Sequence, residues 1–195
     1  MIKIFLADDH ILIREGLKRL INIEPDIRVI GESADPVEIL KATKEGDYDI
    51  LILDITLPQK SGLEILKEVK AMDPSAKVLI LSMHPEERFA IRSLKAGAYG
   101  YLTKESAGDD IILAIKKIAS GRRYLSESLA EKLAGGLELA KNKLPHEILS
   151  DREFEILRYI AQGKALTEIG EELNISVSTV GTYRSRILDK LKLSN

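Results

Sequence analysis

Through its first 120 residues the chain alternates, five times over, a short apolar β-rich run with an amphipathic stretch of helical period. The runs are IKIFLA at 2–7, IRVIGE at 27–32, DILILD at 49–54, AKVLIL at 76–81 and AYGYLT at 98–103. Between and after them, apolar residues recur at helical spacing over about 11–23, 36–46, 62–72, 87–96 and 107–119. Strands joined by helices cannot pair as hairpins; each connection is a right-handed crossover, which makes the sheet parallel and covers both its faces. The run ILIL ahead of Asp54 is apolar without alternation, as a central strand buried on both sides requires. The expected fold is therefore α/β, a five-stranded doubly wound parallel sheet.

Helix punctuation agrees with this reading. Ser106 and Asp109 have capping-box spacing, and Gly121 stands where a helix ends in a left-handed residue. One compact domain is expected over 1–120. The segment 121–148 reads as a linker with a short helix, since ESLAEKLAGGLELAKNKLP contains Gly135, Gly136 and Pro145. From Leu149 onward the pattern is entirely helical. Ser150 and Glu153 open FEILRYIA and Gly163 closes it; Thr167 is placed to cap EIGEELN, which Asn174 ends; Ser176 and Thr179 open the last helix. Two helices joined by a tight turn, the second longer and basic, form a helix-turn-helix. Val177, Val180, Ile187 and Leu191 should face its core, and Ser178, Thr182, Ser185, Arg186 and Asp189 lie opposite.

Composition narrows the chemistry. The chain has 195 residues and no cysteine, which excludes disulfides, thiolate metal sites and a cysteine nucleophile. Its 45% hydrophobic and 31% charged residues suit a water-soluble globular chain, and no apolar run reaches membrane-spanning length. A cytoplasmic protein with no membrane partner is the expectation. The net charge of −2 does not itself indicate nucleic acid. Charge is sorted by helix, however: Glu168, Glu171 and Glu172 precede, whereas Arg184, Arg186, Lys190 and Lys192 follow on the final helix.

Ligands of open parallel sheets gather beyond the carboxyl ends of the strands. Those ends carry Asp8 and Asp9, Asp54, Ser82 and Lys104. Taken singly, each is an ordinary strand-end or turn residue. Together, three carboxylates at one edge repel one another and call for a counter-charge, which a hard divalent cation such as Mg²⁺ supplies through oxygen ligands and water. Histidines occur only at 10, 84 and 146, so a transition-metal site is the weaker expectation. A carboxylate beside such a cation can accept a phosphoryl group, with Lys104 and Ser82 neutralising the transferred oxygens. A phosphatase with an aspartate nucleophile is disfavoured, because Thr56 stands where its general acid would be; neither a P-loop nor a dinucleotide fingerprint is present. No enzymatic turnover is expected.

The segments DDH at 8–10, LDITLP at 53–58, LSM at 81–83, YLTKE at 101–105, Gly62 in KSGLEIL and AGAYGY at 96–101 resemble the receiver domain of two-component response regulators. LSDREFEIL, IAQGKALTEIGEELNISVSTV and RILDKLKLSN resemble the LuxR-type helix-turn-helix, and the pair resembles the NarL/FixJ family of transcription factors. The resemblance implies a flavodoxin-like receiver and a small all-α DNA-binding domain over 149–195. It implies that Asp54 takes a phosphoryl group from a sensor histidine kinase, that Asp9 binds Mg²⁺ directly and Asp8 mainly through water, and that Thr56 contributes its carbonyl. Lys104 would hold a phosphoryl oxygen, Ser82 and Tyr101 would form the switch pair, and the side chains of Thr56 and His84 would bear on the lifetime of the phosphorylated state. Gly181, Thr182 and Ser185 fall at base-reading positions of double-stranded DNA, and Thr179, Arg186 and Lys190 at phosphate contacts. Gly181 departs from the family, which often has lysine there. Family members usually continue beyond KLKLSN into a further helix, so a truncated chain is expected, and a homodimer is expected on phosphorylation. The alternative is an atypical receiver that acts as a phosphate-independent interaction module.

Overall fold

The computed structural model describes residues 1–83, 86–135 and 148–193. The chain divides into two compact units, Met1–Ala134 and Gly135–Asn195. In the first, strands β1 (Ile2–Ala7), β2 (Ile27–Ser33), β3 (Ile50–Asp54), β4 (Lys77–Ser82) and β5 (Gly100–Thr103) alternate with helices α1 (Ile11–Ile23), α2 (Pro36–Glu45), α3 (Gly62–Met72), α4 (Glu86–Lys95) and α5 (Ala107–Ala119). All pairings are parallel, in the order β2-β1-β3-β4-β5. The doubly wound α/β fold expected from the alternation is the one observed. Strand order reverses between β1 and β3, so the crevice where ligands gather opens at the ends of these two strands.

Side chains alternate across the sheet. Ile4, Leu6, Ile50, Ile52, Leu79, Leu81 and Leu102 meet Leu17 and Ile21 of α1 and Ile111, Ala114, Ile115 and Ile118 of α5 in one core. Leu51, Leu53, Val78, Ile80 and Tyr101 alternate to the other face, where Leu63, Leu66 and Val69 of α3 and Phe89 of α4 are also buried. Every residue of β3 is buried, as its unbroken apolar run foretold.

Two expected caps differ. Ser106 adopts a helical backbone and makes no side-chain cap; its hydroxyl donates instead to the Thr103 carbonyl, 3.3 Å away, and accepts from the Thr103 hydroxyl. The turn from β5 into α5 competes locally for the same hydroxyl. Gly121 does take the expected left-handed conformation after α5, at φ 82°.

The segment after α5 returns to the sheet. Tyr124 pairs with Gly100 in an isolated parallel bridge, its N–H donating to the Tyr99 carbonyl at 2.9 Å. With Tyr124 and Leu129 buried, the first unit continues past residue 120, and helix α6 (Glu127–Gly135) begins within it. Gly136 and Pro145, read as linker residues, lie outside the described residues.

In the second unit, α7 (Asp151–Ala161), α8 (Leu166–Glu172) and α9 (Val177–Leu191) enclose Phe154, Ile156, Ile169, Leu173, Val180 and Ile187. Ser150 and Glu153 form the expected capping box, and Ser176 caps α9 by accepting from the Thr179 N–H. Thr167 does not cap α8. The helix starts at Leu166 from an N-cap at Ala165, whose N–H donates to the Glu168 carboxylate at 2.7 Å, which leaves Thr167 inside the first turn. The α8 to α9 turn is tight: a Cβ at Gly170 would stand 2.9 Å from the Ile175 carbonyl, so this position requires glycine. Val177, expected in the core, is 45% exposed, as the first residue of α9.

Candidate functional site

The sheet brings three carboxylates and one ammonium together at the carboxyl ends of β1, β3 and β5. Lys104 Nζ lies 2.7 Å from Asp54 Oδ2, to which it donates, and 2.6 Å from Asp8 Oδ2. All three side chains are at most 4% exposed. The Lys104 backbone N–H donates to the Ser82 carbonyl at 2.8 Å, which ties the lysine to the end of β4. Ser82 and Tyr101 are fully buried, and Thr56 is half-buried with its N–H directed at Asp54 Oδ1 over 3.1 Å.

The rigidity of Asp54 has a local cause. Helix α3 begins so close behind it that a Cβ at Gly62 would stand 1.9 Å from the Asp54 carbonyl oxygen, while the Gly62 N–H donates to the Ile55 carbonyl. Only glycine allows this approach, and the Ser61–Glu64 capping box fixes the start of the helix.

Charge in the pocket does not balance. Burial pushes the Asp54 carboxyl up to about 7 against the pull of Lys104, and the neighbouring Asp8 adds to the rise. Burial likewise penalises the Lys104 ammonium, but Asp54 and Asp8 more than offset this and hold its pKa above the ordinary lysine value. The one ammonium thus pairs with both Asp8 and Asp54, while the buried Asp9 Oδ1 lies 2.7 Å from His10 Nδ1. Carboxylate oxygens gathered this closely suit a divalent cation.

Two residues of the pocket were not expected. His10 directs Nδ1 inward, so that Asp8, Asp9, His10 and Asp54 each place a ligand atom within 4.8 Å of the others. Arg14, one helical turn on, donates from Nη1 to the Asp8 carbonyl at 2.5 Å and so anchors the end of β1. The spacing DDHILIR carries both, because α1 starts directly after His10 and returns its first turn to the strand end. His84 and His146 lie outside the described residues.

On α9, Ser178, Thr179, Thr182, Ser185, Arg186 and Asp189 are exposed, and Gly181 is half-buried with open space where a Cβ would be. The Thr182 and Ser185 hydroxyls donate to the Ser178 and Gly181 carbonyls, Thr179 bonds Ser176, and the Arg186 guanidinium lies over the Tyr183 ring. Lys190 is drawn the other way, to Glu153 Oε2 at 2.7 Å, and its charge is spent within the unit. Beneath α9 the Arg152 guanidinium, 3% exposed, donates to Glu155 Oε2 at 2.7 Å and to the Leu173 carbonyl at 3.2 Å.

Residues 4–116 match the response regulator receiver domain, and residues 147–195 match the luxR family of bacterial regulatory proteins. The response regulator UvrY of Escherichia coli is 33% identical over 194 residues, which is 99% of this chain and 89% of that protein. The transcriptional regulatory protein LiaR of Bacillus subtilis is 36% identical over 196 residues, 100% of this chain and 93% of that one. This chain belongs to the NarL/FixJ response regulators. Among solved structures, a LuxR-family response regulator from Aurantimonas superposes with a TM-score of 0.64 at 38% identity, over 69% of this chain and 96% of that one. RcsB in complex with DNA superposes with a TM-score of 0.63 at 25% identity, over 100% and 93%. The first unit of this response regulator therefore holds its receiver and the second its LuxR-type DNA-binding helices. Among the described residues, no helix is long and apolar enough to cross a membrane.

Proposed function

We propose that this response regulator is switched by phosphorylation of Asp54 and binds double-stranded DNA through α9. The observation that carries the reading is the Lys104 ammonium, held 2.7 Å from Asp54 and 2.6 Å from Asp8 at the reversal point of the sheet. An Asp54 oxygen attacks the phosphorus of a phosphohistidine on a sensor histidine kinase, the P–N bond breaks, and the imidazole leaves and takes a proton. Asp8, Asp9, Asp54 and the Thr56 carbonyl would hold Mg²⁺, which would supply positive charge to offset that of the phosphoryl oxygens. Lys104 exchanges its carboxylate partner for a phosphoryl oxygen and remains charged throughout. The Ser82 hydroxyl turns to the same phosphoryl group, and Tyr101, already fully buried on the neighbouring strand, fills the space behind it. The protein consumes the phosphoryl group stoichiometrically, as an acceptor rather than an enzyme.

In the DNA-binding unit, Gly181, Thr182 and Ser185 meet base edges in a major groove, and Thr179 and Arg186 meet phosphates, with Lys190 joining them when it releases Glu153. So small a basic footprint gives a weak monomer, which favours a phosphorylation-dependent homodimer on a two-fold site. Two RcsB dimers have been seen bound to two parallel DNAs. The domains proposed are 1–120 for the receiver, 121–148 for a connecting segment whose first part packs on the receiver through Tyr124, and 149–195 for the DNA-binding helices, in a cytoplasmic protein.

The test is incubation with a small-molecule phosphodonor, with and without Mg²⁺, followed by intact mass. One Mg²⁺-dependent phosphoryl adduct, absent from Asp54→Asn, is expected. No adduct under any condition would overturn the phosphoswitch and leave the phosphate-independent module.

A further inference from the structure

At the amino ends of β4 and β5, the opposite edge of the sheet from Asp54, three connections bring basic residues together. Lys70 comes from the last turn of α3, Lys95 from the last turn of α4, and Arg123 from the segment after α5. With Gly97, Tyr99 and Gly121 they line a cleft of about 380 Å³. Both glycines are left-handed, at φ 101° and 82°, and turn the chain sharply at the cleft.

Lys70 is built into this wall. Its Nζ donates to the Pro74 carbonyl at 3.1 Å and the Ala76 carbonyl at 2.5 Å, and it lies 5.1 Å from the centre of the Tyr99 ring. A Cβ at Gly97 would stand 3.2 Å from Lys70 Cε, so the backbone of that turn lies against the lysine stem. A cation fixed in this way meets an anion with little further ordering.

The charge around it is one-sided. Burial lowers the Lys70 pKa; Asp73 opposes this and Arg123 adds to it. The Asp73 carboxylate is already engaged, its Oδ1 accepting from the Ser75 N–H at 2.8 Å and the Ser75 hydroxyl at 2.6 Å. Among the described residues, the side chains of Lys95 and Arg123 make no ion pair and no hydrogen bond.

We propose that the cleft binds a small anion bearing two or more phosphate groups, such as pyrophosphate or a nucleoside polyphosphate, with Lys70 as the fixed contact and Lys95 and Arg123 as the movable ones. Three cations facing one engaged carboxylate call for more than one negative charge, and the guanidinium fork matches phosphate oxygens in pairs. The volume lies within the range of small-molecule sites. Bound there, the anion joins the turn before β5 to the segment that carries Tyr124, and so tightens the attachment of the connecting segment to the receiver. It touches no residue of the acidic pocket, and the site stands independently of the phosphoswitch.

The test titrates the full chain with pyrophosphate, ATP and inorganic phosphate at constant ionic strength, with chelator present so that no metal draws them to the acidic pocket. Binding is followed by calorimetry and by amide shifts in NMR. Pyrophosphate should saturate at about 1 mM or below, with its largest shifts at Gly97, Tyr99 and Gly121, and inorganic phosphate should bind more weakly. The double variant Lys95→Ser, Arg123→Ser should weaken pyrophosphate by roughly tenfold or more while the receiver unfolds in urea as before. ATP binding more tightly than pyrophosphate assigns the cleft to a nucleotide and equal binding assigns it to the phosphate groups alone; both support the site. No saturation by about 10 mM, shifts that fall on α9 instead, or equal affinity in the double variant overturns it.

Discussion

Both units of this response regulator bury charge, and they do so to opposite effect. In the receiver, Asp8, Asp54 and Lys104 lie at the edge of an apolar sheet that would be sound without them; the carboxylates outnumber the ammonium, and burial drives the Asp54 carboxyl upward. In the DNA-binding unit, Arg152 is matched by Glu155 and by the carbonyl that ends α8, while Glu153 is matched by Ser150 and Lys190, which hold its carboxyl below the usual range despite burial. The first arrangement keeps a site reactive at some cost in stability. The second joins three short helices whose apolar core is too small to do so alone.

The sharpest way to break the comparison is Arg152→Ala. It removes the guanidinium that meets the buried Glu155 carboxylate and the Leu173 carbonyl at the end of α8, and it should cost the helical unit about 3–5 kcal/mol, seen as loss of its unfolding transition in urea while the receiver transition persists. Next is Gly62→Ala. A methyl group 1.9 Å from the Asp54 carbonyl must displace α3 or β3, for an expected loss of about 1–3 kcal/mol in the receiver and a slower phosphoryl adduct by intact mass.

A smaller effect, of opposite sign, is expected of Asp54→Asn. With chelator present above neutral pH it should stabilise the receiver by roughly 1–2 kcal/mol, because a buried unbalanced charge is removed. The pH dependence follows. A buried carboxyl raised to about 7 binds more protons folded than unfolded between the ordinary aspartate value and 7, so receiver stability falls as pH rises through that window and levels beyond it. Glu153 is depressed and acts in reverse: its contribution is present above the ordinary glutamate value and is lost as acid protonates it. Urea titrations between pH 4 and 8 should show the receiver gaining from mild acid and the helical unit gaining nothing; parallel profiles would refute the contrast. The smallest effect is Gly181→Ala, with no atom within 4 Å of the new methyl, which should raise the stability of the helical unit by up to about 1 kcal/mol.

The same contrast explains what could be read from residue order. Strands and helices of the receiver were legible to within a residue or two, because a sheet buried on both faces writes continuous apolar runs and its helices write a 3.6-residue period. The convergence of Asp8, Asp9, Asp54 and Lys104 was legible too, since they stand at strand ends and parallel topology sends all those ends to one edge. What escaped was what side chains settle among themselves. His10 looked like one of three scattered histidines, and its ring enters the pocket only because of how α1 leaves β1. Nothing in residue order marks Arg152 and Glu155, whose burial depends on the packing of the helical unit. Ser106 and Thr167 had the composition of caps, but a turn claimed one hydroxyl and an earlier helix start bypassed the other. Lys190, expected at a phosphate contact, is drawn to Glu153 instead.

The return of Tyr124 to Gly100 also bears on how this protein survives at high concentration. An exposed outer strand is a template on which a second molecule can add its own backbone, and β5 is the last strand of the sheet. By laying Tyr124 beside Gly100, with its side chain buried and its N–H given to Tyr99, the chain covers the start of that border with its own backbone. What remains open is β2, where the pairing with β1 slips by a residue between Ile4 and Phe5. A border that bends away from flatness is a poor seed for aggregates.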